Sequence, residues 1–197
     1  MSISDQPPSA RRTELLDKAY DYVLVHGLSE LSLRPLASAI GSSPRVLLFL
    51  FESKDGLVRA LLQRARRDEL DLLASLDPAQ TSMVDVARAL WGWLSSGQHR
   101  ALLALWAEAY GRSLIAPSGP WARFAEDTVR DWLSLLSDAQ SPLHRGSHAG
   151  ERERTIVLAV LRGAMLDLLA TGDTDRVNAA VDTAIGAVID GRHAAGS

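Results

Sequence analysis

Apolar side chains recur along this chain at intervals of three and four, never in sustained alternation, and the elements they predict are helices. Leu16, Ala19, Tyr20 and Val23 mark a first helix over about 9–26, which Gly27 stops. Ser32 stands at the N-cap of a second, ahead of Leu33, Leu36, Ala37 and Ile40, with Pro35 in a first turn whose N–H groups lack intrahelical partners. Gly41 ends it. Ser43 then caps a very short helix over about 44–50, with Pro44, whose φ is already helical, at its first position. Ser53 caps a long fourth helix carrying Val58, Leu61, Leu62, Ala65, Glu69, Leu72, Leu73 and Leu76, which Asp77-Pro78 closes. Further stripes follow at Val84, Ala87, Trp91 and Leu94, at Leu102, Leu105, Trp106 and Ala109, and at Trp121, Phe124, Thr128, Trp132 and Leu135.

Residues 137–154, SDAQSPLHRGSHAGERER, are polar and rich in Gly, Ser and His around a proline, and predict a mobile loop. Two last helices, over about 151–170 and 174–191, carry Val157, Val160, Leu161, Ala164, Met165 and Leu168 on one and Val177, Ala180, Val181, Ala184, Ile185 and Val188 on the other. The expected fold is all-α, with about nine helices and no internal repeat.

Composition narrows the function. At 197 residues and 47% hydrophobic, the chain has enough apolar surface for a substantial core. It has no cysteine, which excludes disulfides, thiolate metal sites and cysteine nucleophiles and fits a reducing interior. No apolar run reaches the ~20 residues of a membrane-spanning helix, and MSISDQPPSARR lacks the order of a signal peptide, so the expected location is the cytoplasm. The net charge is −3; residues 1–60 hold seven Lys/Arg against seven Asp/Glu, and residues 61–197 fourteen against seventeen. A protein coated in basic surface is thereby excluded. His144 and His148 are four apart, but Pro142, Gly146 and Ser147 argue against one helix carrying both, and no metal or cofactor is expected. No nucleophile elbow, P-loop or metallohydrolase signature is present, so an enzyme is not the reading.

What remains is the punctuation between Ser32 and Ser53. Two short helices joined by a glycine-containing turn form a helix-turn-helix, whose second helix enters the DNA major groove, ~12 Å wide. In that arrangement Arg45 is placed to fork onto a guanine edge, while Ser32, Arg34, Ser43 and Lys54 lie near helix N-termini that favour phosphate. Val46 and Phe49 complete the candidate DNA-binding set. Arg11 and Arg12 form either a groove-seeking arm or a solvated tail.

The stretch HGLSELSLRPLASAIGSSPRVLLFLFESKDGLVRALL resembles the TetR family of bacterial one-component regulators. Gly27, Ser32, Leu36-Ala37, Gly41, Ser43, Phe51, Ser53-Lys54 and Leu57 occupy the family's signature places, and Arg45, Leu47 and Leu48 look like an actinobacterial variant. The match departs from the family at Phe49, where tyrosine is usual, and at Leu50, where histidine is usual; each departure removes a donor to phosphate. The resemblance implies a DNA-binding domain at 1–56 and a ligand-binding and dimerisation domain at 57–197. It implies a homodimer on a pseudo-palindromic operator, most simply a repressor released by a small effector.

All five tryptophans lie beyond residue 56, where core and cavity are equally good readings. If a cavity, its candidate walls are Trp91, Trp106, Tyr110, Trp121, Phe124, Trp132 and Met165, with polar handles among His99, Arg100, Glu108 and Arg162, and its ligand is apolar, aromatic or polycyclic. The candidate dimer interface is Val157, Val160, Leu161, Ala164, Val177, Val181, Ala184 and Val188, a four-helix contact across a two-fold axis. The rival reading is a small-molecule-binding or scaffold helical protein whose helix-turn-helix does not bind DNA.

Overall fold

Helices are the regular elements throughout the described residues of the computed structural model, which are 8–28, 31–75, 82–116 and 118–195, with side chains from 10 to 188 apart from 69–70 and 72–75. In chain order they are α1 (Pro8–His26), α2 (Leu33–Ala39), α3 (Pro44–Phe51), α4 (Lys54–Ser75), α5 (Met83–Leu94), α6 (Arg100–Ile115), α7 (Phe124–Asp138), α8 (Pro142–Arg145), α9 (His148–Thr171) and α10 (Thr174–Ala195). Single 3-10 turns precede α6 and α7. The fold class is all-α, as the periodicity predicts. The side chains expected on the α4 stripe at Glu69, Leu72 and Leu73, and the segment holding Leu76 and Asp77-Pro78, lie outside the described residues.

The chain divides into two compact units, Met1–Asp68 with Ala104–Ala125 and Glu69–Leu103 with Glu126–Ser197. In the first, α1 buries Leu15, Leu16, Ala19, Tyr20 and Val23, α2 buries Leu36 and Ala37, and α3 buries Leu47 and Phe51. Gly41 closes α2 with φ +67°, which a side chain would strain, so that the Ser42 N–H reaches back to the Ala37 carbonyl at 2.8 Å. The chain is thus released to restart at once as α3.

In the second unit α5 lays Val84, Val86, Ala87, Leu90, Trp91 and Leu94 against α9 and α10. These present Val157, Leu158, Leu161, Met165 and Leu168, and Val177, Val181 and Ile185. Arg176 binds Asp167 through both terminal nitrogens, at 2.9 and 2.7 Å, tying the start of α10 to the end of α9 and holding the Asp167 carboxyl below its ordinary range.

The expected loop at 137–154 is instead helical almost throughout: α7 runs to Asp138, α8 occupies 142–145 and α9 begins at His148. Two serine caps explain it. Ser141 Oγ accepts the His144 N–H at 3.4 Å, and Ser147 Oγ accepts the Gly150 N–H at 3.0 Å. Gly150 does not break the chain; it permits close approach, because a Cβ there would stand 2.1 Å from the His144 carbonyl oxygen. The helix total is accordingly ten among the described residues.

Among the described residues, three buried side-chain groups, the Tyr20 and Ser42 hydroxyls and the Trp106 indole N–H, are left with no hydrogen bond. The Tyr20 hydroxyl is enclosed without a partner, with the Arg64 guanidinium 5.1 Å from the ring centre, and burial pushes its pKa up to about 12. An unsatisfied buried hydroxyl costs ~1–3 kcal/mol, so Tyr20→Phe should be neutral or stabilising in urea denaturation. The sign with pH also follows. Wild type should lose stability as pH rises from the ordinary tyrosine range toward 12, because the unfolded phenol ionises first, and Tyr20→Phe should not show that loss.

Candidate DNA-binding and effector sites

On α3, Leu47 and Phe51 face inward with 1% and 3% exposure. Phe49, two positions from Leu47 and so about 200° round the helix from it, faces outward at 79% exposure. Arg45, one turn before Phe49, is exposed on the same side, and Val46 flanks them at 37%. Ser43 caps the helix through its Oγ to the Val46 N–H at 3.3 Å. Ser32 sits at the N-cap of α2 but makes no side-chain capping bond, which leaves its hydroxyl exposed beside Arg34. Ser53 caps α4 by accepting the Gly56 N–H at 2.9 Å, with Lys54 exposed on its first turn. All seven candidate DNA-binding residues are therefore exposed or half-exposed at the starts of α2, α3 and α4 and along the outer face of α3.

Arg11 and Arg12 do not form an arm. Both belong to α1, where Arg11 pairs with Glu14 at 2.7 Å and Arg12 stacks over the Phe51 ring at 4.9 Å and donates to the Leu50 carbonyl.

The candidate effector residues separate into two groups. In the first unit Trp106 stacks on Tyr110 at 4.7 Å, the Arg112 guanidinium covers Trp121 at 5.1 Å, and Phe124 is buried. The Trp106 indole N–H is buried with no hydrogen-bond partner. In the second unit Trp91 donates to Asn178 Oδ1 at 2.8 Å, joining α5 to α10, and Trp132 is buried at 6% exposure. Met165 lines a small cavity of about 90 Å³ with Leu94, Leu103 and Leu168. Of the polar handles, Arg100 caps the end of α9 by donating to the Leu169 carbonyl at 2.8 Å, and His99 stacks on Trp93 at 4.0 Å. These serve packing.

The second unit also carries an open groove of about 1020 Å³ that the aromatic pattern did not reveal, lined by Met83, Gln140, His144, Glu153, Ile156 and Val188 among others. His144 Nε2 lies 2.8 Å from Glu153 Oε2 there, while His148 falls on a different helix and is almost wholly exposed. The sequence signal for the groove lay in the segment expected to be a loop.

No known family model matches the chain, and no curated protein matches it. Solved structures do. A TetR transcription regulator from Haloarcula marismortui aligns over 93% of this chain and 98% of its own, with TM-score 0.74 and 17% identity. A Rhodococcus sp. protein assigned to the TetR family aligns over 91% and 98%, with TM-score 0.74 and 18% identity. The multidrug binding protein EbrR, complexed with proflavin, aligns over 88% and 99%, with TM-score 0.62 and 24% identity. The fold is that of the TetR-family transcriptional regulators.

Within this TetR fold a polar tie joins the end of α1 to α6. Glu108 of α6 accepts the Leu28 N–H at 2.9 Å, just past the end of α1, and takes Arg112 Nε at 3.2 Å on its other oxygen. Leu28 is 4% exposed. Glu108→Ala would leave its N–H buried and unpaired, and should destabilise the protein by ~1–3 kcal/mol in thermal or chemical denaturation. Glu108→Gln, which keeps an acceptor, should recover most of that loss.

Proposed function

We propose that the protein is a ligand-responsive, DNA-binding transcriptional regulator that acts in the cytoplasm as a homodimer, most simply a repressor. It binds a pseudo-palindromic operator and is released by a small apolar effector. The observation that carries this reading is α3: a helix anchored on one side by Leu47 and Phe51 turns Arg45, Val46 and Phe49 to solvent. A helix offering that much apolar surface beside an arginine is built to be covered, and its position in a TetR fold supports DNA as the cover. Exposed Arg34 and Lys54 at the neighbouring helix starts supply charge for phosphate. Residues 1–56 are the DNA-binding part of this scheme and 57–197 the effector and dimer part.

For dimerisation, Val157, Leu161, Val177 and Val181 are 0–2% exposed within one chain, so a partner meets little of them. Val160, Ala164, Ala184 and Val188 are half-buried at the margin. Outward from these, α9 presents Ile156, Ala159, Gly163, Leu166 and Ala170 at helical spacing, and α10 presents Ala180 and Ala187. Such a stripe, mostly of small residues, suits close helix approach across a two-fold axis.

For the effector, the buried, unpartnered Trp106 N–H beside Tyr110 supplies a hydrogen-bond donor among aromatic walls, and EbrR's complex with the polycyclic proflavin supports ligands of that class. Such a ligand shifts the reading heads only if it binds the two states of the protein with different affinity. Electrophoretic mobility shift with DNA flanking the protein's own gene tests the reading, with apolar compounds titrated while tryptophan fluorescence is followed. A complex that survives excess unrelated DNA and dissociates on ligand binding is expected. Equal competition by unrelated DNA would support the scaffold reading instead.

A further inference from the structure

The outer face of α3 is unusually apolar for a surface meant for a polyanion. Phe49 is 79% exposed, Leu48 42% and Val46 37%, and Arg45 is the one cation on the helix. The acidic residues nearby, Glu52 and Asp55, lie at and beyond its C-terminal end. Tyrosine at position 49 would have offered a hydroxyl to phosphate; phenylalanine offers only carbon.

In the major groove one base presents carbon at its edge, the thymine C5-methyl, and apolar side chains are its natural partners. We infer that Val46 and Phe49 read thymine methyl groups next to the base contacted by Arg45. Each operator half-site then combines a guanine with adjacent thymines, and discrimination comes mainly from methyl burial and one arginine fork. Three features of the face fit this occupant. Phe49 and Arg45 are four residues apart, about one helical turn and ~6 Å of axis, which spans neighbouring base steps. Arg34 and Lys54 at adjacent helix starts complement the phosphates on both sides. Phe49 stands on the surface about opposite the Leu47 and Phe51 anchors, with Val46 and Leu48 flanking it, where a groove-filling helix meets base edges. The inference rests on the DNA-binding reading above and specifies its chemistry.

Replacing thymine by deoxyuridine removes the methyl and nothing else, which makes the test specific. Duplexes recovered from a random-sequence pool by the full-length protein are remade with each thymine in turn replaced by deoxyuridine, and affinity is measured by fluorescence anisotropy for wild type, Val46→Ala and Phe49→Ala. A buried methyl is worth about a three- to fivefold change in affinity. At least one thymine per half-site should show that penalty with wild type, and the penalty should vanish in Phe49→Ala or Val46→Ala, both of which change exposed side chains and should fold normally by circular dichroism. Retained binding with no deoxyuridine penalty, or a penalty unchanged in both variants, overturns the inference while leaving DNA binding intact. Failure to recover any preferred duplex overturns the DNA-binding reading, and this inference with it.

Discussion

Gly163→Arg should give a folded monomer that has lost operator binding. The position lies on the outward stripe of α9, between Ala159 and Leu166, and a Cβ built there meets nothing within 4 Å in the protomer. Replacing a mid-helix glycine removes a cost of ~1 kcal/mol, so the subunit itself should be no less stable. In a two-fold interface the added guanidinium appears twice, near its own symmetry mate, where it is both too large and like-charged. Loss of the dimer then forfeits the simultaneous use of two half-sites, which is worth roughly 10²–10⁴ in apparent affinity. Sedimentation velocity reads the assembly and anisotropy the binding. A Gly163→Arg protein that remains dimeric would move the interface elsewhere. Charging Val181 is a weaker test, because that side chain is 1% exposed inside the protomer and its variants should unfold before they dissociate.

The second large effect concerns Arg45. It is exposed on the first turn of α3, where a reading helix presents its base-contacting residues, and a bidentate fork onto guanine is worth ~1–3 kcal/mol of discrimination. Arg45→Ala should therefore narrow the gap between preferred and random DNA. Lys54→Ala, on the first turn of α4, should weaken both alike and flatten the salt dependence, since phosphate contacts carry no sequence information. Equal losses on both DNAs for Arg45→Ala would make it a phosphate contact and place discrimination wholly on the apolar side chains around it.

The helix-turn-helix was legible because its signals are local. A serine cap, a proline at the first position and a glycine stop are each decided by a few neighbouring backbone groups, and α2, α3 and α4 begin within a residue of the predicted positions. The same logic, applied to Ser141-Pro142, would have found α8, because that pair repeats the cap-and-proline arrangement of Ser43-Pro44. Gly146 and Gly150 obscured it: a glycine that ends a helix and one that lets another backbone pass close by look alike in sequence. The effector residues were legible only as apolar positions. Periodicity places Trp91 and Trp106 on inward faces, but which indole nitrogen finds a protein partner depends on contacts such as that of Trp91 with Asn178, 87 residues away. The division of the last two helices into inner and outer faces had the same limit. Val157 and Val160 are equally apolar, and only the packing of α5 against α9 and α10 decides which of them is buried.

The most direct test of the account is the ratio of affinities for selected and scrambled duplexes, measured by competition at fixed, near-physiological salt with the full-length protein. A dimeric reader of base edges should prefer its selected site by at least roughly 10³-fold, and the recovered sequences should share two inverted half-sites. Enrichment of no sequence, with equal and weak binding to both duplexes, would contradict the assignment of α3 as a reading helix.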